Sequence, residues 1–393
     1  MRIVSLLSAL VVFLAPIAAP SGEWLAAVEP IAAPAAADSS EPRLSVRGNR
    51  ALLSWIEQSD EHAALKFAER TPSGWSDPRT VASGDDWFIN FADVPSVVAL
   101  ADGSLAAHWL QQGKGDDEAE DTRVAFSRDE GRTWSAAISP HHDGTPTEHG
   151  FASLFPAPGA RGFGLVWLDG RSGKNMDLRG ALFDPRGSQI SETVIKARVC
   201  ECCPTAAGVT SEGPIVAFRN RTADEIRDIH VSRLVNGRWT APVPVHRDNW
   251  KIEACPINGP SLSADGRSVA VAWFTVSANA GHVFAAFSTD AGRTFGPPVR
   301  VDDVGAVGRA EIALLSDGSA AVAWIELAGG RSEFKLRRIE PGGARSDARS
   351  VAGLGVGRAS GYPRMARRGD ELLFAWTDEA GGSHVRTAAA RLP

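Results

Sequence analysis

Ser261-Leu262-Ser263-Ala264-Asp265-Gly266-Arg267-Ser268-Val269-Ala270-Val271-Ala272-Trp273 is the stretch whose reading decides the fold. A short apolar strand runs into Asp-Gly, and a second apolar strand leaves it and ends on Trp. Asp-Gly between two strand patterns marks a hairpin, because the turn demands positive φ and glycine adopts it at no steric cost. Further on, Ser288-Thr289-Asp290-Ala291-Gly292-Arg293-Thr294-Phe295 has the chemistry of a tight turn. The Asp290 carboxylate accepts backbone N–H bonds, Gly292 takes the left-handed position, and Phe295 packs between sheets.

The unit repeats. Apolar strands ending on an aromatic finish at Trp55, Trp109, Trp167, Phe218, Trp273, Trp324 and Trp376, a period of roughly 50 residues. The same strand, Gly-containing turn and strand stand at 96–104 and 312–319. Four short strands with their turns need a period of that size, and together they make one blade of a propeller. No segment keeps a helical period, so the class is all-β. The reading is a single β-propeller of seven blades, each of four antiparallel strands, over residues 43–393. The last unit, 362–393, has room for three strands. The ring then closes by borrowing a fourth from within 24–42, which removes the edges an open sheet would leave.

Ser127-Arg128-Asp129-Glu130-Gly131-Arg132-Thr133-Trp134 carries the same S-x-D-x-G-x-T-aromatic pattern, and worn copies stand at 73–75 and 236–239. On these motifs the chain resembles the sialidase-like Asp-box (BNR-repeat) propellers, over about 43–392. The resemblance implies six blades as the alternative count. It also implies a glycan-directed role, as an exo-sialidase-like glycoside hydrolase or a glycan-binding module. Sialidases hold the substrate carboxylate with an arginine cluster and use a Tyr/Glu nucleophile pair with an aspartic acid/base. Tyr362 is the single tyrosine, in Gly361-Tyr362-Pro363-Arg364. It and Arg364 are the catalytic candidates, with Asp169 and Asp228 as acids. The chain departs from the sialidase pattern at the first blade, where Arg43-Leu44-Ser45 replaces Arg-Ile-Pro.

Composition narrows the partners. Of 393 residues, 41 are basic and 47 acidic, a net charge of −6, which gives no field to attract nucleic acid or an anionic membrane. Arg2 followed by the apolar run 3–17 reads as a signal peptide over 1–20, with cleavage as late as 37. Residues 21–42 are an Ala/Pro-rich spacer or the ring-closing strand. The run is short for a spanning helix and no later segment is apolar enough to cross a bilayer. The expected location is therefore the periplasm or outside. No G-x-S-x-G elbow, P-loop or dinucleotide fingerprint occurs in a suitable context.

Propeller topology sorts the loops. The Ser127/Asp129/Gly131/Trp134 and Ser288/Asp290/Gly292/Phe295 turns share one face and are structural. The opposite face receives the loops leading into the innermost strands, with Trp87, Asp93, His149, Asn258, Arg309 and Glu311. It also receives the loops joining second and third strands, with Arg171, Asp177, Arg219 and Arg227. Alternating Arg and Asp on such a rim are more often mutual ion pairs than catalysts. The run 116–121 reads as a solvated acidic loop, and His141-His142 as surface.

Cys200-Glu201-Cys202-Cys203-Pro204 leads into one innermost strand, and Cys255-Pro256 leads into the next. All four cysteines should gather near the shaft. Disulfides suit an oxidising compartment. A soft-metal site for copper or zinc suits clustered thiolates, with Met176, His149 or His282 as further ligands. Redox-active thiols are the third reading. The chain is thus expected to be a binding or redox module with a cysteine-lined site, its partner a small molecule, metal or glycan.

Overall fold

The structure is a computed structural model that describes residues 23–60, 62–115, 118–160, 162–355 and 357–393. The signal-peptide segment 1–20, Asp116 and Asp117 lie outside the described residues. The architecture is an all-β propeller. No helix among the described residues is long and apolar enough to cross a membrane.

The sheets are antiparallel meanders that start at the centre and run outward. Ser39–Arg47 is followed by Arg50–Ser59 and His62–Thr71, and Ala306–Leu314 by Ala320–Ala328, Arg331–Ile339 and Arg349–Leu354. Each innermost strand touches the next, and Arg364–Arg368 touches Ser39–Arg47, so the circle closes. Glu29–Ile31 pairs antiparallel with His384–Arg391, Glu29 opposite Ala389, and completes the last sheet from the other end of the chain. Ser39–Arg47 also shows that residues 39–42 belong to an innermost strand rather than to a spacer.

One expectation needs correcting. The strands pair into six hydrogen-bonded sheets, not seven separate four-stranded ones. The largest has seven strands, because the meander Ser96–Ala99, Leu105–Gln112, Glu120–Ser127 joins the meander that begins at His149–Pro156. A single parallel bridge between His149 and Asp121 makes the junction.

The aromatic-ending strands are the second strands, and they build the core. Trp55, Trp167, Trp273 and Trp324 are at most 1% exposed. Burying an indole N–H without a partner costs about 1–3 kcal/mol, and the sequence supplies that partner repeatedly. In a strand, residues i and i+2 share a face, so the Trp-x-acid pattern puts a carboxylate within reach. Trp55 donates to Glu57 (2.9 Å), Trp167 to Asp169 (2.7 Å) and Trp324 to Glu326 (3.1 Å). A cation then balances each acid: Lys66, Arg171 and Lys335. Trp273 takes its partner from a loop instead, at Asp248 (2.7 Å).

The two S-x-D-x-G-x-T turns hold the outer strands. Asp129 accepts from the Ser127 hydroxyl (2.8 Å), the Thr133 backbone N–H (2.9 Å) and the Thr133 hydroxyl (2.7 Å). Asp290 repeats the set with Ser288 and Thr294. Gly131 and Gly292 lie at φ +82° and +80°. A side chain on Gly131 would overlap the Phe67 ring of the preceding sheet, and Trp134 meets the same ring edge-on at 6.0 Å. The turn is thus also a contact between sheets.

This gives a first prediction. Gly103 has a similar φ of +86° but open space around it, so Gly103→Ala should cost only about 1 kcal/mol from backbone strain. Gly131→Ala adds overlap with Phe67 and should cost about 1–3 kcal/mol more. Urea unfolding of the two variants checks this, and equal costs would remove the inter-sheet role.

Candidate functional site

The loop leading into Ala206–Thr210 and the loop leading into Ser261–Asp265 meet on one face. Cys202 is disulfide-bonded to Cys255, with Cα atoms 6.0 Å apart, so the two loops are covalently tied. Cys200 and Cys203 are free thiols, each 1% exposed. Their sulfurs are 3.1 Å apart, and the Cys202 sulfur lies within 4.8 Å of both.

The pair is electronically unequal. A hydrogen bond from the Cys203 thiol, aided by the Arg219 and Arg227 guanidinium groups, brings Cys200 down to about 6. Burial, together with the Cys200 thiolate it faces, pushes Cys203 well up. Arg227 Nη1 donates to Cys200 Sγ at 3.3 Å and to Glu201 at 2.8 Å. Arg219 is 1% exposed, and carbonyls occupy it: Asn258 (2.9 and 2.8 Å), Arg227 (2.7 Å) and Phe274 (2.7 Å). It stacks on Trp250, with 5.0 Å from its guanidinium carbon to the ring centroid. Arg219 and Asn258 therefore wall the sulfur pocket and are not free to hold a ligand. Met176 pairs with Val199, next to Cys200, and packs in the same apolar cluster as Cys202. His282 is bonded to Asp302 at 3.3 Å and packs beside Phe284.

The second candidate region is the shaft, a cavity of about 610 Å³ lined by the innermost strands. Arg43, Glu311, Tyr362 and Arg364 line it. Arg364 pairs with Glu311 at 2.8 Å. Tyr362 is 5% exposed and donates its hydroxyl to the Ile257 carbonyl at 2.5 Å. Arg309 and Arg364 lie over its ring at 5.4 and 5.2 Å.

The acids expected to serve beside Tyr362 do not reach it. Neither Asp169 nor Asp228 lines the shaft. Asp169, fully buried, takes the Trp167 indole N–H and a two-pronged Arg171. That is the job Glu57 and Glu326 do in other repeats. Asp228 accepts from the Trp250 backbone N–H at 3.3 Å, and burial raises its pKa. Arg171 also binds Glu192 (3.0 Å), and Asp177 lies 3.7 Å from Arg179. Trp87 stacks on Trp109 at 5.6 Å and belongs to the core of another sheet.

Three buried carboxyls cluster instead around Asp93, which lines the shaft. Glu41, Asp93 and Glu120 are 6%, 3% and 2% exposed. Burial, with Asp93 as neighbour, raises Glu41 and also lifts Glu120 to about 10. Burial lifts Asp93 to about 7. Asp93 and Glu120 both occupy space that any side chain at Gly150 would fill. The acidic run is therefore not wholly solvated, and Glu120 escaped the sequence reading because a charge run gives no sign of which member turns inward. His141 also proves to be buried, at 6%, stacked on His149 with centroids 3.8 Å apart. Burial and His149 press its pKa down to about 3.

No protein-family model matches the chain, and neither does any curated protein. Among solved structures it is similar to the polysaccharide lyase Uly1, at 10% identity over 90% of both chains, with a TM-score of 0.53. It also aligns with an ulvan lyase (12% identity, 77% of this chain and 79% of that one, TM-score 0.48). A third is the NanB sialidase of Streptococcus pneumoniae (9% identity, 95% of both chains, TM-score 0.46). At such identities the likeness speaks to the fold.

The carboxyl cluster sets a pH dependence. Asp93 and Glu120 hold their protons in the folded protein to higher pH than in the unfolded chain, so the folded state binds more protons and stability falls as pH rises. The fall should begin near pH 4, take its Asp93 share by about pH 7 and continue toward about pH 10 through Glu120. The stability difference between wild type and Asp93→Asn isolates the Asp93 share from groups of opposite sign such as His141: in urea unfolding, wild type should lose stability relative to Asp93→Asn as pH rises from 5 to 8. A wild-type protein that gains on the variant over this interval would contradict the assignment.

Proposed function

We propose that this protein is an exported propeller that binds a soft metal ion, copper(I) or zinc, at the Cys200/Cys203 pair. The observation that carries the reading is two buried sulfurs 3.1 Å apart, one with thiolate character and an arginine beside it. Opening the pair to about 3.8 Å gives the edge of a tetrahedron with bonds of ~2.3 Å. Burial favours an ion over thiol exchange with another protein. Exchange needs a thiolate that a partner's disulfide can reach, whereas each of these sulfurs is 1% exposed. The Cys202–Cys255 disulfide holds the two loops in place and fits an oxidising compartment, the periplasm or outside.

A second reading, a glycan-directed site at the shaft, draws on Arg43, Glu311, Tyr362 and Arg364 in its wall and on the fold likeness to a polysaccharide lyase. Sialidase chemistry is the weaker form of it, since the Tyr362 hydroxyl is committed to a backbone carbonyl.

Anaerobic titration with copper(I) against a chromogenic chelator tests the first reading. The folded protein should take one equivalent, and Cys200→Ser and Cys203→Ser should each weaken binding at least ~10-fold. If the reduced wild-type protein leaves all the copper with the chelator, the reading fails.

A further inference from the structure

On the same loop face, away from the cysteines, His141 and His149 form a stacked pair, 3.8 Å between centroids and 3° from parallel. Hydrogen bonds on one edge of the pair decide which nitrogens are bare. His149 Nδ1 is 3.0 Å from the Thr147 carbonyl. A carbonyl only accepts, so Nδ1 carries the proton. His141 Nε2 is 2.9 Å from the Ser139 hydroxyl, whose own proton goes to the Thr122 carbonyl at 3.2 Å. That hydroxyl must accept, so His141 Nε2 carries the proton too. In the neutral rings the lone pairs then fall on His149 Nε2 and His141 Nδ1.

Both lone pairs face a carboxylate. His149 Nε2 lies 3.4 Å from Asp143 Oδ2 and 4.0 Å from Asp169 Oδ2. His141 Nδ1 lies 3.6 Å from Asp143 Oδ1. His149 is fully buried and its Nε2 has no hydrogen-bond partner; Asp143 Oδ1 has none either, its contact with Arg171 Nη2 at 3.3 Å being an ion pair. The site atoms of Asp143, His149 and Asp169 lie within 4.8 Å of one another. Lone pair against lone pair is repulsive, and a buried unsatisfied group costs about 1–3 kcal/mol. A positive charge between them relieves both.

The surrounding charge agrees. Asp143, Asp169, Asp177 and Glu192 are grouped around Arg171 and Arg179, and Asp121 lies beside both imidazoles. With neutral imidazoles this cluster of described residues is negative. The Nδ1–H to carbonyl bond of His149 is also the outer-shell device by which proteins orient a ligating imidazole.

We propose that His149 Nε2 and the Asp143 carboxylate bind a divalent transition-metal cation, with Asp169, whose oxygens are held by Trp167 and Arg171, adding negative charge at 4.0 Å from His149. Imidazole and carboxylate donors suit the borderline ions of the zinc and cobalt class. Asp121 and Asp143 have side chains 40% and 13% exposed, and they open the route from solvent. The site is independent of the thiols and has a different donor chemistry.

Cobalt(II), added to the purified full chain at pH 7.5, separates the two sites. Nitrogen and oxygen donors give visible d–d bands alone, whereas thiolates add intense charge-transfer absorption in the near ultraviolet. One equivalent with d–d bands should bind, and Asp143→Asn should weaken it at least ~10-fold. Asp143→Asn keeps shape and leaves the buried stack in place; His149→Ala should abolish binding, with far-UV circular dichroism reporting whether it still folds. Folded wild-type protein that binds no cobalt in this form would overturn the proposal, since a proton on His149 would then be the balancing charge. So would d–d bands that Asp143→Asn and a folded His149→Ala leave unchanged.

Discussion

The indoles of Trp55, Trp167, Trp273 and Trp324 are buried in the second strands, and a buried N–H must still be satisfied. Trp55, Trp167 and Trp324 fill the space between neighbouring sheets, and each hands its proton to an acid two residues on. The acid, buried at Asp169 and Glu326 and half-buried at Glu57, draws in a lysine or arginine from the adjoining strand or turn. One packing demand thus sets three side chains in a repeat, and a run of such repeats makes walls rigid enough to carry loops. Ring closure by Glu29–Ile31 removes the last open edge.

The functional face inherits its order from that frame. Innermost strands converge on the shaft, so the loops leading into them are neighbours whatever their spacing in sequence. Cys202 and Cys255 are 53 residues apart and are joined there. The same convergence packs Tyr362 under Arg309 and Arg364 and presses its hydroxyl onto Ile257. What results is a tightly filled rim with a buried sulfur pair on one side and a stacked histidine pair on another.

Much of this was legible in the sequence, because it is local. The 50-residue period, the Asp-Gly hairpins and the S-x-D-x-G-x-T turns each depend on residues close along the chain. The errors arose where the deciding contact is long-range. Asp169 is the exception, since its deciding contact is local: the Trp-x-acid spacing puts it under the Trp167 indole, and only its burial shows that this bond is its role. His141 looked exposed because its stacking partner, His149, lies beyond an irregular loop. Glu120 turns inward only because Gly150 leaves it room. The sheet count slipped on a single bridge, His149 to Asp121, which no strand pattern announces. Within Cys200-Glu201-Cys202-Cys203 the outer two have C-x-x-C spacing, but the spacing alone does not say which cysteine Cys255 takes. Cys202 goes to Cys255, and that leaves the C-x-x-C pair as the thiols.

The account turns on Cys200 and Cys203 being a dithiol beside a disulfide, and one measurement addresses that directly. Protein secreted to an oxidising compartment is denatured in the presence of a chelator and an alkylating reagent, digested without reductant, and mapped by mass spectrometry. The account predicts a single cross-linked peptide joining Cys202 to Cys255, with Cys200 and Cys203 both alkylated. A Cys200–Cys203 disulfide throughout the sample, with no alkylated cysteine, would contradict it and leave the cluster as two structural cross-links.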